Sequence, residues 1–413
     1  MKFAIKFWLL LIVAVFPIRP VFADDLRTRT LQRAALEAGL KPAKSTNIAV
    51  DPFLVDIGKT LFESKELSIA RDTACSSCHL DQFGSADGLP VAIGTEASGF
   101  GNTRIVNGGD IIPRNVLPLW GRGDNGFDVL FWDGKVEKKQ ASLISQFGKG
   151  VPSDDPLVVA AMLPPVEIGE MFIDADGTDE FQTETLESAT VIYDLLIERV
   201  KENSALGPKL ASASQKEIQD LDFVDVANAL AAFIRHNFRV QPTKLHRFVF
   251  QDEALTKSEI RGGLLFYGKG RCSLCHNGPF FSDLAFHSIP IQQIGFGKNG
   301  FGVDYGRFNV TLGTKDQHLF RTPPLLNVTK TGPYGHSGGA NTVSEVITAH
   351  FDPLRYFPKP ETDLVVRTEL YLRLGKWTQS VLPGVVLDDE EVKDIETFLK
   401  TLNYDSEFSV TSK

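Results

Sequence analysis

The sequence predicts a mainly α protein built from two helical units with long loops between their helices. Three observations predict it. The order helix, Cys-x-x-Cys-His, long Gly/Pro-rich stretch, closing helix occurs twice along the chain. Apolar residues in the flanking segments recur at helical spacing rather than alternating. A length of 413 residues is enough for two medium domains with cores of their own.

Taken in order, residues 1–23 read as a secretory signal peptide. Lys2 and Lys6 open it, Phe7 to Phe16 is an apolar run, and Val21-Phe22-Ala23 is a small-residue cleavage site. The run is short for a bilayer span, which takes roughly 20 apolar residues. No later apolar run is long enough either, so a periplasmic protein without a membrane span is expected. Cleavage removes Lys2, Lys6 and Arg19 and no acidic residue, taking the formal charge from −9 to −12. That argues against a nucleic-acid binder, which needs a basic face. It suits solubility and steering of a basic protein partner.

The first unit, residues 24–240, has Asp51-Pro52 to cap and start a helix through Leu54, Val55, Leu61 and Phe62. It closes on a helix with Phe223, Val226, Ala227, Leu230, Phe233 and Ile234 on one face. In the second unit, residues 241–413, Thr256 and Glu259 form a capping box ahead of Leu264, Leu265 and Phe266. Its last helix starts at Asp388 and turns Val392, Ile395, Phe398, Leu399 and Leu402 inward. Stretches 84–127 and 290–340 read as loops, and the tail after Tyr404 as frayed. The repeated plan reads as an internal duplication with its boundary near residue 240.

The chain has four cysteines, Cys75, Cys78, Cys272 and Cys275, and each pair runs directly into a histidine, His79 or His276. Export permits disulfides, but Cys-x-x-Cys-His is the attachment signature of c-type haem. Two thioethers hold the vinyl edges of the porphyrin, and the adjacent imidazole reaches the iron as proximal ligand. A four-ligand zinc site would need a second matching pair close in space. A redox dithiol would not need the histidine. Two covalent haem c groups follow, one in each of two cytochrome c-like helical domains.

The stretches between these motifs resemble the bacterial dihaem cytochrome c peroxidase and MauG family, over most of the chain after residue 23. Pro113-Arg114-Asn115 with Pro118 resembles its Arg-Asn-x-Pro stretch. Phe131-Trp132-Asp133-Gly134-Lys135 resembles Phe-Trp-Asp-Gly-Arg, and Pro165-Val166-Glu167-Ile168-Gly169 resembles Pro-Val-Glu-Met. Asn327-Val328 through Gly332-Pro333-Tyr334-Gly335-His336-Ser337-Gly338 resembles Arg-Asn-Val…Ala-Pro-Tyr-Phe-His-Asp-Gly. The resemblance implies roles. Trp132 would sit between the haems and carry electrons. Glu167 would be the acid/base above the first haem, taking a proton from peroxide and returning it to the leaving oxygen. Asn115, Thr331 and Pro333 match positions that hold a calcium ion through oxygen atoms. Tyr334 and Pro323 would line the second haem.

The departures from the family pattern are informative. The common peroxidases block the first iron with a loop histidine, and Leu80 to Asn115 contains none; Val91 to Thr95 stands there instead. The first haem is therefore expected to be five-coordinate and open, as in MauG. The family's sixth ligand to the second haem lies 14 residues after the Pro-Tyr-x-His histidine, which from His336 is His350. That position falls on a predicted helix, Thr342 to Ala349. His276 with His350 is the expected pair, with Tyr356 the rival. Methionine would raise the potential relative to a second histidine. Trp132 and Glu167 are 35 positions apart, longer than the family's gap. The extra residues, around Phe147–Val159, put Gln140 in doubt as a pocket residue. His236, His246, His287 and His318 are taken as structural.

Three functions follow. In the first, peroxide reacts at the open haem and a partner protein's side chain is oxidised at long range. The ligand pattern is most similar to the MbnH branch of the family, which converts a partner's tryptophan to kynurenine. In the second, peroxide is reduced to water by small cytochrome or copper-protein donors. In the third, the chain is a dihaem electron carrier, which would need six-coordinate irons at both sites.

Overall fold

The computed structural model describes residues 21–140, 142–148, 150–173, 185–356, 363–380 and 384–405. Residues 1–20, most of the expected signal peptide 1–23, and the tail from residue 406 lie outside the described residues. The fold is mainly helical. In chain order the helices are α1 (Val21–Glu37), α2 (Pro52–Glu63), α3 (Asn102–Val106), α4 (Pro156–Met162), α5 (Leu186–Glu202), α6 (Leu206–Ser214) and α7 (Phe223–Asn237). They continue with α8 (Lys244–Phe250), α9 (Lys257–Tyr267), α10 (Phe308–Thr311), α11 (Val343–Phe351), α12 (Leu364–Ser380) and α13 (Asp389–Leu399). No helix among the described residues is long and apolar enough to cross a membrane.

Local chemistry sets the helix starts. Asp51 accepts from the Phe53 amide ahead of Pro52, so α2 begins where a capped, proline-led helix should. Capping boxes open α7 at Asp222, α9 at Thr256 and α13 at Asp388.

The two units repeat one helix crossing. α2 crosses α7, and α9 crosses α13. At each crossing a glycine of the first helix lies against a carbonyl of the second. A Cβ on Gly58 would fall 1.9 Å from the Ala229 oxygen, and one on Gly262 would fall 1.9 Å from the Asp394 oxygen. Four residues on, Phe62 meets Phe233 with centroids 5.0 Å apart, and Phe266 meets Phe398 at 5.3 Å. The glycine lets the backbones touch, and the phenylalanines one turn later fill the angle that opens.

The halves are interlaced. α1, which precedes the first motif, packs on α8 and α9 of the second unit. Leu31 is buried against Gly263, Gln32 donates to the Phe248 carbonyl at 3.0 Å, and the Gly278 amide donates to the Ala38 carbonyl at 2.8 Å. In the other direction, Tyr404 packs on Trp120 of the first unit at 4.5 Å. One continuous apolar core spans both units. Short strands fix the loops over the cavities. β1 (Ala92–Ile93) pairs antiparallel with β2 (Ile111–Ile112). β3 (Val129–Leu130), β4 (Val136–Lys139) and β5 (Ser142–Ile144) form an antiparallel meander.

Candidate active site

Each Cys-x-x-Cys-His motif opens onto its own cavity. The first is walled by Cys75, Cys78 and His79, by Phe62 of α2, and by Leu230 and Ile234 of α7. The His79 Nδ1 lies 2.8 Å from the Ser85 carbonyl, which leaves Nε2 as the ring's ligating atom. Burial pushes His79 down to about 4, keeping it in the neutral form that binds metals. None of the four cysteines is paired in a disulfide. Burial pushes Cys75, Cys78 and Cys272 up to about 12. Among the described residues, His79 is the one histidine in this wall.

Glu167 lines the same cavity, directly after the short 3-10 turn Pro164–Val166. Lys135 Nζ donates to it at 2.7 Å, and Lys298 Nζ lies 3.8 Å away. Burial opposes the charged carboxylate, but Lys135 and Lys298 outweigh it and hold Glu167 down to about 2. Glu170 lines the same cavity, and burial and the charge of Glu167 push it up to about 7. The loop that carries Lys135 is held by a buried triad. Arg114 reaches Asp133 at 2.6 Å and clamps both oxygens of Asp304 at 2.8 and 2.9 Å.

Between Trp132 and Glu167 the chain forms β4, β5 and α4, and the extra residues expected around Phe147–Val159 run into the start of α4. Asp155 caps α4, and Leu157, Ala160 and Ala161 on that helix complete the first cavity's wall. Gln140 sits exposed in the turn between β4 and β5, away from the cavity, as the long gap suggested.

The second cavity holds Cys272, Cys275, His276 and His350, with Tyr334 and Pro323 in its wall. His350 lies in the last turn of α11, one residue beyond the predicted helix end. Its Nδ1 lies 2.6 Å from the Val346 carbonyl, and the His276 Nδ1 lies 2.9 Å from the Phe281 carbonyl. The two ring centroids are 6.3 Å apart at an interplanar angle of 59°. Two metal–nitrogen bonds of about 2 Å each, plus the two ring radii, span about 6 Å. The gap therefore fits one metal ion with an imidazole on either side. Tyr356 ends the turn Pro353–Tyr356, and its side chain lies outside the described set.

Trp132 is buried and lines both cavities. Its indole N–H donates to the Asn115 carbonyl at 2.9 Å, which fixes the ring. Two buried arginines line the same cavities, and among the described residues neither has a carboxylate partner. Arg122 lines the first cavity with Nε and Nη2 unpartnered, and Arg321 lines the second with Nη2 unpartnered. Burial and the nearby Arg321 push Arg122 well below the usual arginine value, and burial pushes Arg321 down to about 9. A buried cation without a counter-ion is costly. The two carboxylates of a haem would supply that counter-charge, so both cavities fit the group that the cysteines imply. Sequence reasoning did not reach these arginines, and it took as structural His287, which lines the second cavity and meets Asp283 at 2.9 Å.

The expected calcium positions are brought together in part. The Asn115 amide donates to the carbonyls of Leu89 and Pro333, both at 3.0 Å. The Thr331 hydroxyl donates to the Val328 carbonyl in its own turn.

Comparison with known proteins agrees with this geometry. The family described as di-haem cytochrome c peroxidase matches residues 52–254. The chain is 26% identical to the methylamine utilization protein MauG of Methylorubrum extorquens, over 72% of this chain and 68% of that protein. It is 24% identical to the cytochrome c551 peroxidase of Nitrosomonas europaea, over 76% of this chain and 78% of that one. In fold it is similar to a MauG-like protein associated with microbial copper homeostasis, with TM-score 0.63 and 22% identity, covering 88% of this chain and 93% of that one. It is also similar to the diheme peroxidase BthA of Burkholderia thailandensis, with TM-score 0.61 and 19% identity, covering 90% of each. Two haem motifs, two matching cavities and these relatives make one case: the chain belongs to the di-haem cytochrome c peroxidase family, whose members are peroxidase-like oxidoreductases with two c-type haems.

Proposed function

We propose that peroxide reacts in the first cavity, that oxidising equivalents are shared with the second through Trp132, and that a separate exported protein is then oxidised at a side chain. The observation that carries this reading is the contrast between the cavities. One is lined by a single histidine and by the Glu167 carboxylate, and the other has two histidines at the spacing of one shared metal. When bound, the haem groups supply the two electrons that peroxide takes up on cleavage. His79 and His276 would hold the two irons, and His350 would be the second ligand in the second cavity. The protein leaves the Glu167 side of the first cavity without a histidine, so peroxide has room there. Glu167, held ionised by Lys135 and Lys298, receives the peroxide proton. Arg122 and Arg321 neutralise the haem carboxylates. Trp132, fixed by Asn115, carries single electrons between the sites.

The partner's modified residue would be a tryptophan converted to kynurenine, by likeness to the MauG-like branch. Calcium would bind near Asn115, Thr331 and Pro333 once the Asn115 amide turns its oxygen inward. The second reading, reduction of peroxide to water with small cytochrome or copper-protein donors, uses the same residues. It is favoured by relatives named cytochrome c551 peroxidase.

The test adds one equivalent of peroxide to the fully oxidised haem-loaded protein without prior reduction, with optical and EPR spectra recorded. A rapid change at both haems, with loss of the low-spin bis-histidine signal, is expected. A change only after one electron is added would mean a blocked first iron and an ordinary peroxidase. No change in either state would leave an electron carrier.

A further inference from the structure

The first cavity contains a second carboxylate that the family resemblance does not assign. Residues Glu167 to Glu170 form a tight turn in which the Glu170 amide donates to the Glu167 carbonyl at 3.1 Å. Gly169, the third residue of the turn, has φ +81°, as a type II turn requires. Such a turn brings its first and fourth residues to within about 7 Å at Cα. Both glutamates accordingly line one cavity with His79. The turn is pinned from outside. The Thr95 amide and hydroxyl donate to the Gly169 carbonyl at 2.9 and 3.2 Å. A Cβ on Gly94 would fall 1.8 Å from that same oxygen, so the strand end packs hard against the turn.

The two carboxylates have opposite surroundings. Glu167 is paired with Lys135 and faces Lys298. The Glu170 carboxylate has no hydrogen bond or ion pair among the described residues. The charged groups facing it are Glu167, Lys135 and Lys298, with the Cys75 and Cys78 sulfurs in the same wall and Asp110 behind the turn. Burial and Glu167 favour its protonated form around neutrality, while Glu167 stays ionised. Neighbouring carboxyl groups driven apart in this way are suited to separate acid and base duties.

We infer that Glu170 is the proton donor to the departing peroxide oxygen, and that Glu167 serves as the base that takes the peroxide proton. This deepens the reading that peroxide reacts in the first cavity and rests on it. In the step, Glu167 removes the proton from one peroxide oxygen. Glu170 gives its proton to the other oxygen, the O–O bond breaks heterolytically, and that oxygen leaves as water. The two electrons needed by the remaining oxygen come from the oxidisable groups of the haem-loaded protein. The step leaves Glu167 neutral and Glu170 charged. Two electrons from the partner or donor protein, with the Glu167 proton and one from solvent, release the second water. Glu170 regains its proton from solvent.

The test compares haem-loaded wild type, Glu170→Gln and Glu170→Asp by two measurements. Infrared difference spectra follow protonated carboxyl groups across a pH titration of the resting protein. Stopped-flow spectra give the rate constant with hydrogen peroxide from pH 5 to 9. A protonated carboxyl that titrates near neutral pH in the wild type and is missing from E170Q is expected. The wild-type rate should fall as pH rises through that titration, and E170Q should be slower by about 10²-fold and lack that limb. E170D should keep a limb at a shifted pH. E170Q matching the wild type in rate and pH profile, or a wild type without that carboxyl signal, overturns the assignment while peroxide reactivity stands. If E170Q loads no haem, E170D decides, and an unmoved limb overturns the assignment. A wild type inert to peroxide at every pH overturns both readings.

Discussion

The two units share one helix crossing and differ in what lines the cavity beyond the motif histidine. Gly58 under Ala229 and Gly262 under Asp394 are the same contact made twice, each followed by a phenylalanine pair one turn later. Beyond the motif histidines the resemblance stops. The first cavity is lined by a turn with two carboxylates, by Lys135 of its own unit and by Lys298 of the other, and the second is lined by α11 with His350. The lesson is that a repeated frame can hold two different chemistries when the distal wall comes from loops and added helices. Trp132 joins the two because it belongs to both walls.

Removing His350, the proposed second ligand, is expected to have the largest effect. His350→Ala should abolish the low-spin bis-histidine EPR signal and open the second iron to carbon monoxide, and added imidazole should restore the signal. An unchanged EPR spectrum would remove His350 from the iron. Next comes Glu167→Gln, which should slow the reaction with peroxide by roughly 10²–10⁴-fold while leaving the second haem's spectrum intact. Because Lys135 and Lys298 hold Glu167 down to about 2, its ionised form persists above that pH. Rate–pH profiles should therefore show no loss of this base between pH 4 and 9.

The shared frame is tested by Gly58→Ala and Gly262→Ala. Each pushes a methyl into a facing carbonyl and should cost about 1–3 kcal/mol, read as a lowered Tm of the haem-loaded protein. Comparable losses at the two positions would support the duplication, and a loss at one alone would break it. The smallest effect is expected at the caps. Asp222→Ala and Asp388→Ala should each cost about 1 kcal/mol in chemical unfolding, leaving both haem spectra unchanged.

Much of this was legible in the residues. The helices α2, α7, α9 and α13 carry a cap and an apolar face, both of which are local signals. The haem motifs are local too, and His350 follows from counting along a resemblance. What escaped depends on tertiary neighbours. α1 reads as a polar segment, because its buried side chains, Leu31 and Ala35, are few and matter only against α8 and α9. α4 is seven residues long and shows too little period to call attention to itself. Arg122 and Arg321 look like ordinary arginines until their burial without carboxylates is seen. Glu170 gains meaning from a turn that sets it beside Glu167. Gly58 and Gly262 are simply glycines in helices until the facing carbonyl is in view.

The crossing of α1 to the far unit also sets an order of assembly. During synthesis α1 emerges before the helices it rests on, and Leu31 has nothing to lie against until α9 exists. The α2–α7 pair can close earlier, with all its parts already made. α1 therefore docks late, after the rest of the chain has taken shape, and acts as a clasp fastened over the finished second unit.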